Sequence, residues 1–492
     1  MSSVGILVGR SMPDRVVFLS NRPVKVGEFV MVDAAEGRVL YMVERSETES
    51  KLLSTVRDFI TAEEAQRASK HNPRDRSYTC LARALGMFRD GWMPATPSIP
   101  PEPGSYVYEV DDKLLRAVYR MEGEEWVEVG RLLRRPSVGV AVNLNKVASR
   151  HLAILATTGK GKSNLIALIA KRTAEKNGTM VIFDYHAEYS QMKSRKTHYV
   201  APRINPRNLD SEELADLLDV RSSAEKQRSI LSNVFRDSQK RENFWEDLRE
   251  RLSDIVNNEE SDSSKAQAAS RLLEIIERAL SIKGRIFDEK SRTVLESLKK
   301  NRINVVDLSE FTEKQAQILL RHFLLEILND RKNAVLGYDA TFTSPVLVAV
   351  EEAHVFIPAD KGGSECADVV SRVAREGRKF GVGLIIVSQR PNRLDPDVVS
   401  QMGSFAISGI THPEDQAFIT KSTDFVSEEL GVNLPCLNTG EMIFAGQWVK
   451  TTTLVLVDKV EEKLIGRDLD AVKQWLEDRE ATLSSPEDLI RP

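Results

Sequence analysis

The sequence predicts an α/β fold in which a doubly wound parallel sheet follows a small β-rich domain and is interrupted by a helical insertion. Residues 4–44 contain short β-rich runs separated by turn-forming residues, which is typical of a small barrel or sandwich. From about residue 130 to 206 the pattern alternates strand, loop, helix and strand, which indicates a parallel sheet. Residues 207–300 instead show helical periodicity.

The N-terminal domain is predicted over residues 1–120, as a small β-barrel. Its strands are expected in the runs VGILVG, RVVFLS, EFVMVD and RVLYMVE, and a helix is expected in TAEEAQRASKH. Five prolines between residues 94 and 103 predict a rigid connector, because proline fixes φ and removes a backbone donor. The strand-like run SYVYEV then returns to the β-rich domain.

The insertion at residues 207–300 is predicted to be a helical bundle. Asp210 and Glu213 match a capping box that opens a helix. Apolar residues then recur at helical spacing, namely Phe244, Leu248, Leu252, Ile255, Leu272, Ile276 and Leu280. The α/β core is assigned to residues 121–206 and 301–465, because strand-like runs resume from INVVDLS to TTLVLV, and residues 466–492 are assigned to a C-terminal tail or strap.

The composition sets limits on location and on partners. The chain has 492 residues, with 69 Lys+Arg against 73 Asp+Glu and a formal net charge of −4, so any basic surface must be local. The three cysteines are far apart and lack a C-x-x-C spacing, so neither a disulfide framework nor a structural zinc site is expected. No apolar run approaches the ~18 residues that span a bilayer, so we expect a cytoplasmic protein without a membrane partner.

The segment from Ala156 to Ser163 is the strongest chemical signal, because it lies between a strand and a helix. A phosphate-binding loop needs small residues so that backbone N–H groups converge on phosphate oxygens at a helix N-terminus. Lys162 is expected to reach the β- and γ-phosphates and Ser163 to bind Mg²⁺. Alanine at position 156 departs from the usual glycine. The residues predicted to bind ATP here are Thr157, Thr158, Gly159, Lys160, Gly161, Lys162, Ser163 and Asn164.

Two further apolar strands end in polar residues. The run VLVAV is followed by Glu351, predicted to bind Mg²⁺, and by Glu352, predicted to polarise the attacking water. Glu351 stands where an aspartate is usual, which favours a contact through water. The run LIIVS is followed by Gln389, predicted to sense the γ-phosphate. The alternative for Glu351 and Glu352 is a pair of solvated acids at a strand end, and the alternative for Gln389 is a surface amide.

Asp184, His186 and Glu188 follow the strand run VIF at alternate positions. In an extended chain this spacing places all three on one face. Because they end a sheet strand beside the phosphate loop, they are expected to position water, Mg²⁺ or a residue of a neighbouring subunit, and a dedicated metal site is the weaker alternative. Arg150, just before the first core strand, is predicted to approach the phosphates within the same chain.

The basic segment 372–379 precedes the LIIVS strand. A solvated helix face is the ordinary reading of such a run. In an oligomeric ATPase, however, an arginine here would reach the nucleotide held by the next subunit and stabilise charge in the transition state. Arg378 is the first candidate and Arg375 the second.

These motifs, in this order, resemble the HerA–FtsK family of hexameric DNA-pumping ATPases, and most closely its archaeal HerA branch. The resemblance is carried by SRHLAILATTGKGKSN, FDYHAEY, INVVDLS, VAVEEAHVFIP, REGRKFGVGLIIVSQRP and FAISGIT, and it extends to the β-rich N-terminus and the insertion. It implies a RecA-like P-loop ATPase core in a homohexameric ring, with ATP and Mg²⁺ at subunit interfaces and duplex DNA in the central channel. It also implies a NurA-type nuclease docked on the barrels.

A translocating ring needs only a few donors on loops that face its channel. The loop after the acidic strand, residues 358–364, contains Lys361 and the pair Gly362 and Gly363, which we expect to contact DNA, although an ordinary exposed loop fits the same pattern. The predicted function is an ATP-dependent hexameric DNA translocase or helicase that drives DNA end resection in double-strand break repair. The alternatives are a nucleotide-gated clamp or scaffold that recruits a nuclease, and a conjugation-type ATPase that pumps DNA or protein.

Overall fold

The computed structural model describes residues 2–72, 74–189, 192, 196–258, 262–283, 286–360 and 365–461. Its N-terminal part is a seven-stranded antiparallel sheet in the order β2-β1-β7-β3-β4-β5-β6, and an additional pairing of β2 with β5 closes six of the strands into a barrel. Its elements are β1 (Ser3–Leu7), β2 (Arg15–Ser20), β3 (Phe29–Ala34), β4 (Gly37–Ser50), α1 (Phe59–His71), β5 (Arg76–Phe88), β6 (Trp92–Met93) and β7 (Tyr106–Glu109). The predicted small barrel is therefore confirmed.

The chain then enters the large sheet through a hairpin and a first strand–loop–helix–strand unit. The elements are α2 (Asp112–Tyr119), β8 (Trp126–Leu132), β9 (Arg135–Asn143), α3 (Leu144–Arg150), β10 (Leu152–Ala156), α4 (Lys162–Glu175), β11 (Thr179–Asp184) and β12 (Thr197–Val200). Strands β10 and β11 are buried along their whole length, as expected for strands covered on both faces.

The insertion is helical, as predicted. It contains α5 (Ser211–Leu217), α6 (Glu225–Ser238), α7 (Phe244–Asn257) and α8 (Ser263–Lys283), flanked by short 3-10 turns at Pro206–Asn208 and Val294–Ser297. The predicted capping box is present, because Asp210 accepts from the Glu213 backbone while the Glu213 carboxylate accepts from Asp210 N–H. Helices α7 and α8 pack against one another through the predicted apolar face, whose buried members are Phe244, Leu248, Leu252, Leu272 and Ile276.

The chain returns to the large sheet after the insertion. The remaining elements are β13 (Ile303–Asp307), α9 (Glu313–Leu336), β14 (Val346–Val350), α10 (Ala353–Phe356), α11 (Glu365–Phe380), β15 (Val382–Ser388), α12 (Pro396–Ser400), β16 (Ser404–Ser408), α13 (Pro413–Ser422), α14 (Glu428–Gly431), β17 (Glu441–Gly446) and β18 (Thr453–Val457). Short 3-10 turns lie at Pro391–Arg393 and Leu434–Cys436. The predicted tail, residues 466–492, lies outside the described residues.

The large sheet has eleven strands in the order β12-β13-β11-β14-β15-β10-β16-β17-β18-β8-β9. The first seven are mutually parallel and the last four continue the sheet antiparallel. Ligands of open α/β sheets bind at the carboxyl ends of the parallel strands. That edge is where the chemically distinctive residues of the sequence gather.

The barrel packs directly on the large sheet. Phe29, Met31, Leu40 and Met42 of the barrel belong to the same buried apolar cluster as the core strands. Arg134 Nε donates to the Val26 carbonyl at 2.8 Å across this junction. Among the described residues, no helix is long and apolar enough to cross a membrane.

Candidate functional site

Five neighbouring parallel strands end at one edge of the large sheet and bring the predicted site residues together. Across the sheet, β11 ends in Asp184, β14 is followed by Glu351, β15 ends in Ser388, β10 ends in Ala156 and β16 ends in Ser408. The phosphate loop follows β10, while the acidic pair follows β14, and only β15 lies between these two strands. The edge therefore collects the loop, the acids and the polar end of β15.

The loop between β10 and α4 has the backbone geometry of an anion-binding turn. Gly159 and Gly161 have φ angles of +77° and +103°, which glycine adopts without steric cost. Gly161 caps α4 and has no side chain that could bond to the first N–H groups of that helix. A helix N-terminus with free N–H groups favours an anion through its dipole and its donors.

Two threonines fix one side of this loop. The Thr157 hydroxyl donates to the Gly409 carbonyl at 2.7 Å, and the Thr158 hydroxyl donates to Gln389 Oε1 at 2.6 Å. Gln389 is thus in contact with the phosphate loop. Thr158 and Gly159 are exposed, so the loop is open to a ligand from solvent.

Residues 437–440 hold the other side of the loop, and the sequence analysis missed them. Lys160 Nζ donates to the Leu437 carbonyl at 2.5 Å. The Thr439 hydroxyl donates to the Gly159 carbonyl at 3.0 Å, and Gly440 N–H donates to the Lys160 carbonyl at 3.0 Å. Lys160 is therefore an anchor of the loop in this structure.

Asn164 is committed to a structural contact. Its amide nitrogen donates to the Asp458 carbonyl at 2.8 Å, and its amide oxygen accepts from Val460 N–H at 3.0 Å. This pair ties the first turn of α4 to the segment that follows β18. Both side-chain polar atoms of Asn164 are thereby used in contacts other than the predicted one with ATP.

Lys162 and Ser163 open α4 and face the acidic residues. Lys162 Nζ donates to the Ala156 carbonyl at 2.9 Å. Burial lowers the pKa of Lys162, and the charges of Glu352, Glu188 and Glu351 act against that decrease. The Ser163 hydroxyl donates to Glu188 Oε2.

The two glutamates after β14 are in different environments. Glu351 is 4% exposed and accepts a 2.5 Å hydrogen bond from the Tyr189 hydroxyl. Burial raises the pKa of Glu351 well above its usual value, and the charge of Glu188 adds to that increase. Glu352 has φ and ψ angles of 45° and 46°, a left-handed conformation that is rare for a residue with a side chain. Burial also raises the pKa of Glu352, while the charge of Lys162 opposes this.

One oxygen of the Glu352 carboxylate makes no hydrogen bond among the described residues. Its Oε2 is buried without a hydrogen bond of good geometry among the described residues, although His354 Nδ1 lies 3.2 Å away. Burial lowers the pKa of His354 to about 4, with Arg390 and Arg393 contributing, so this histidine is neutral near pH 7 and the pair is not an ion pair. A buried polar atom without a partner requires an explanation. A water or substrate group is the natural partner for this oxygen.

The segment after β11 is a turn, so the prediction that Asp184, His186 and Glu188 share one extended face is wrong. The Asp184 carboxylate accepts from Glu188 N–H at 2.9 Å and from Tyr189 N–H at 2.7 Å, and these bonds curl the backbone. Burial raises the pKa of Asp184 to about 6. His186 is exposed, whereas Glu188 points to Ser163. Asp184 therefore builds the turn, and Glu188 is the member of the three that contacts the phosphate loop.

Arg390 is a second residue that the sequence analysis missed. It is exposed and follows Gln389, and its charge lowers the pKa of both His354 and Glu352. Its backbone N–H donates to the Ser388 hydroxyl at 3.0 Å. The dipeptide after β15 thus supplies an amide and a cation to the site.

Three other arginines lie at the opposite edge of the sheet. Arg150 ends α3 at the amino end of β10, a strand of five residues that is about 16 Å long at 3.3 Å per residue. This placement does not bring Arg150 to the phosphate loop of its own chain. Arg375 and Arg378 are exposed near the end of α11, which packs against α3. All three therefore lie away from the phosphate loop of their own chain.

The predicted DNA contacts Lys361, Gly362 and Gly363 lie outside the described residues. Of the loop that contains them, residues 358–360 are described, and the Ala359 N–H donates to the Arg393 carbonyl at 2.8 Å. The start of the loop is therefore tied to the turn that follows Arg390.

Comparison with known proteins gives consistent matches. Residues 127–327 match the family model described as the central domain of helicase HerA. The DNA double-strand break repair helicase HerA of Saccharolobus solfataricus is 32% identical over 96% of this chain and 95% of its own. That of Pyrococcus furiosus is 30% identical over 96% of each chain. Among solved structures, VirB4 of Thermoanaerobacter pseudethanolicus superposes with a TM-score of 0.51 at 15% identity, over 70% of this chain and 99% of its own, which shows a shared fold.

Proposed function

The chain belongs to the HerA helicase family, and we propose that it is an ATP-hydrolysing motor that moves duplex DNA through a homohexameric ring. The observation that supports this most directly is the meeting of Lys162 and Ser163 with Glu351 and Glu352 at one edge of a parallel sheet. A loop that binds phosphates is common to many proteins, but beside it Glu352 Oε2 is buried with no hydrogen-bond partner among the described residues, which is suited to hydrolysis.

The residues of the site divide the work of hydrolysis between them. The N–H groups at the start of α4 and the Lys162 ammonium bind and orient the β- and γ-phosphates. Glu352 accepts a proton from the attacking water, and its raised pKa makes it a better base than an exposed glutamate. Gln389 is hydrogen-bonded to Thr158, so a change in the loop when the γ-phosphate binds or leaves is transmitted to the end of β15.

The residues present also fit Mg²⁺. The Ser163 hydroxyl and the carboxylates of Glu188 and Glu351 offer the hard oxygen ligands that this ion prefers. The acids raise one another's pKa, and Lys162 is the main cation near them. An additional positive charge would therefore be stabilised at this site. When bound, Mg²⁺ neutralises phosphate charge and holds the phosphate oxygens in position. Ser163 and Glu351 would hold the ion, with Glu188 beside them.

We assign the trans-acting arginine to the α11 edge. Arg378, with Arg375 as second choice, would stabilise transition-state charge on a nucleotide held by the neighbouring subunit. Its exposure and its place at the amino edge of the sheet support a role between subunits. Arg150, which lies on the same side, would join it there and not in its own site.

The relatives named as double-strand break repair helicases suggest the biological setting. We propose that this motor drives DNA end resection together with a NurA-type nuclease that docks on the N-terminal barrels. The barrel is suited to transmit motion because its apolar residues Phe29 and Leu40 pack into the core of the large sheet.

The decisive experiment is ATP hydrolysis with and without duplex DNA, on protein whose oligomer mass has been determined. Hydrolysis by a ring of about six subunits should depend on Mg²⁺ and rise with duplex DNA, and Lys162→Ala should abolish it. Full turnover by Lys162→Ala would remove the central assignment. Arg378→Ala should bind ATP without hydrolysing it and be partly rescued by mixing with Lys162→Ala subunits.

A clamp or scaffold that recruits a nuclease predicts a different outcome. Such a protein would bind DNA in response to nucleotide but would not displace a roadblock from duplex DNA. Roadblock displacement that is lost in Glu352→Gln identifies a motor. Binding without displacement in the wild-type ring would identify the clamp.

A further inference from the structure

Tyr189 lies at the end of the turn that follows β11, fully buried among the acids of the site. We propose that Tyr189 is a positioning residue that sets the place of Glu351 for Mg²⁺ and couples that acid to Ser163. This inference rests on the proposed function, because it concerns the same nucleotide site. The run FDYHAEY ends in this tyrosine, but the sequence analysis assigned it no role.

The contacts of Tyr189 leave it little freedom. Its backbone N–H donates to Asp184 Oδ2 at 2.7 Å, and its hydroxyl donates to Glu351 Oε1 at 2.5 Å. Among the described residues, no other group donates a hydrogen bond to the Glu351 carboxylate. Because a buried carboxylate without donors is costly, this one hydroxyl holds the acid in a single orientation.

The turn connects the two residues assigned to Mg²⁺. Glu188 precedes Tyr189 and accepts a hydrogen bond from Ser163, while Tyr189 bonds to Glu351 on the next strand. The Asp184 carboxylate fixes the backbone of both. One short turn thus contacts both Ser163 of the phosphate loop and Glu351 after the acidic strand, so a change at Tyr189 should affect both contacts.

The length of the acid gives a second reason. Glu351 stands where an aspartate is usual, and glutamate is longer by one C–C bond of about 1.5 Å. At 2.5 Å from the Tyr189 hydroxyl, the longer acid is within hydrogen-bond distance. Shortening it by that bond would lengthen the contact to roughly 4 Å, beyond hydrogen bonding. Tyr189 and glutamate at position 351 therefore form a matched pair.

The experiment measures Mg²⁺ dependence in the full-length ring. The variants are Tyr189→Phe, Glu351→Asp and the double variant, and the matched control is Tyr41→Phe, which removes the hydroxyl of a fully buried barrel tyrosine that has no hydrogen-bond partner among the described residues. Binding of a fluorescent ATP analogue is titrated with Mg²⁺ and also measured without it. Steady-state hydrolysis is titrated in parallel.

Tyr189→Phe should raise the Mg²⁺ concentration for half-maximal binding about tenfold, the usual effect of losing a partner of a metal ligand. Analogue binding without Mg²⁺ should not change, and kcat at saturating Mg²⁺ should recover most of its wild-type value. Glu351→Asp should show a similar shift, and the double variant should show little more than either single one, because both remove the same bond.

Two outcomes would overturn the inference. One is a Mg²⁺ dependence of Tyr189→Phe that matches Tyr41→Phe. The other is a variant that loses thermal stability but keeps wild-type Mg²⁺ affinity, since that result assigns the hydroxyl to stability alone. In both, the wild-type ring still hydrolyses ATP, so the proposed function stands. If the wild-type ring shows no Mg²⁺-dependent binding or hydrolysis, the proposed function and this inference fail together.

Discussion

His151 joins three elements of the core through its imidazole, and this predicts a specific dependence of stability on pH. Its Nδ1 accepts from Leu384 N–H at 3.0 Å, and its Nε2 lies 2.9 Å from the Ala374 carbonyl of α11. Nε2 must therefore carry the proton and Nδ1 must not. Protonating Nδ1 would bring its hydrogen against the Leu384 N–H hydrogen and would place a charge on a side chain that is 2% exposed.

Burial lowers the pKa of His151 to about 4 from 6.5, and the charge of Arg150 adds to the decrease although the Ala374 carbonyl opposes it. The unfolded chain takes up a proton below pH 6.5 that the folded chain refuses until about pH 4. The stabilisation by neutral His151 is thus complete above pH 6.5 and is lost as the pH falls towards 4. At 1.36 kcal/mol per pH unit, the loss amounts to about 3 kcal/mol.

The perturbation is His151→Phe, which keeps an aromatic ring at a position with φ of +64° but removes both polar contacts. At pH 8 the variant should be less stable by about 2–5 kcal/mol, because Leu384 N–H and the Ala374 carbonyl lose their partner. The difference from wild type should then shrink by about 3 kcal/mol as the pH falls to 4.5. Other groups, such as Asp184 with its raised pKa, titrate in both proteins and cancel in the difference.

The assay is hydrogen exchange of the β15 segment that contains Leu384, with urea unfolding as a second measure, from pH 4.5 to 8. Exchange reports the opening of this part of the core even where the barrel unfolds separately. A difference between wild type and variant that stays constant over this pH range would refute the assignment of a neutral, doubly bonded His151.

Other predictions test the geometry of the site. Gly161→Ala places a side chain at a φ of +103° with no close contact, so it should weaken ATP-analogue binding through backbone strain, as measured by titration, without unfolding the chain. In urea unfolding, the free energy of unfolding of Glu352→Gly should exceed that of Glu352→Ala by about 1 kcal/mol, because glycine relieves the left-handed backbone. Both variants should lose hydrolysis. Asn164→Ala should speed hydrogen exchange at Val460 N–H, which loses its acceptor.

The sequence alone predicted the ends of β10, β14 and β15, though not the turn after β11, and through them the meeting of Lys162 with Glu351 and Glu352, because the carboxyl ends of parallel strands share one edge. It could not predict that Lys160 bonds to the Leu437 carbonyl, since those residues are 277 positions apart and nothing local encodes the contact. Strand β5 was also missed. Its run RSYTCLARALGMF lacks clean alternation and is held by pairing with β4 and β2.

The turn after β11 shows why residue spacing is a weak guide to a site. Asp184 and Glu188 stand at alternate positions that fit an extended strand, yet a buried carboxylate with nearby N–H groups folds the backbone onto itself. The same turn buries Tyr189, to which the sequence analysis assigned no role, because the run FDYHAEY does not show which acid the tyrosine contacts. When a turn brings site residues together, their arrangement can be described only once the backbone conformation is known.

The charges at the site decide how a nucleotide can enter it. Asp184, Glu351 and Glu352 have raised pKa values chiefly because they are buried, and Lys162 is the cation that most opposes this at Glu352. ATP brings further negative charge, so ATP alone would add repulsion to a site that already has too many acids. A divalent cation that arrives with the phosphates reverses this balance and gives the acids a partner. The near-neutral charge of the whole chain is therefore irrelevant to this site, where we expect a divalent cation to strengthen nucleotide binding.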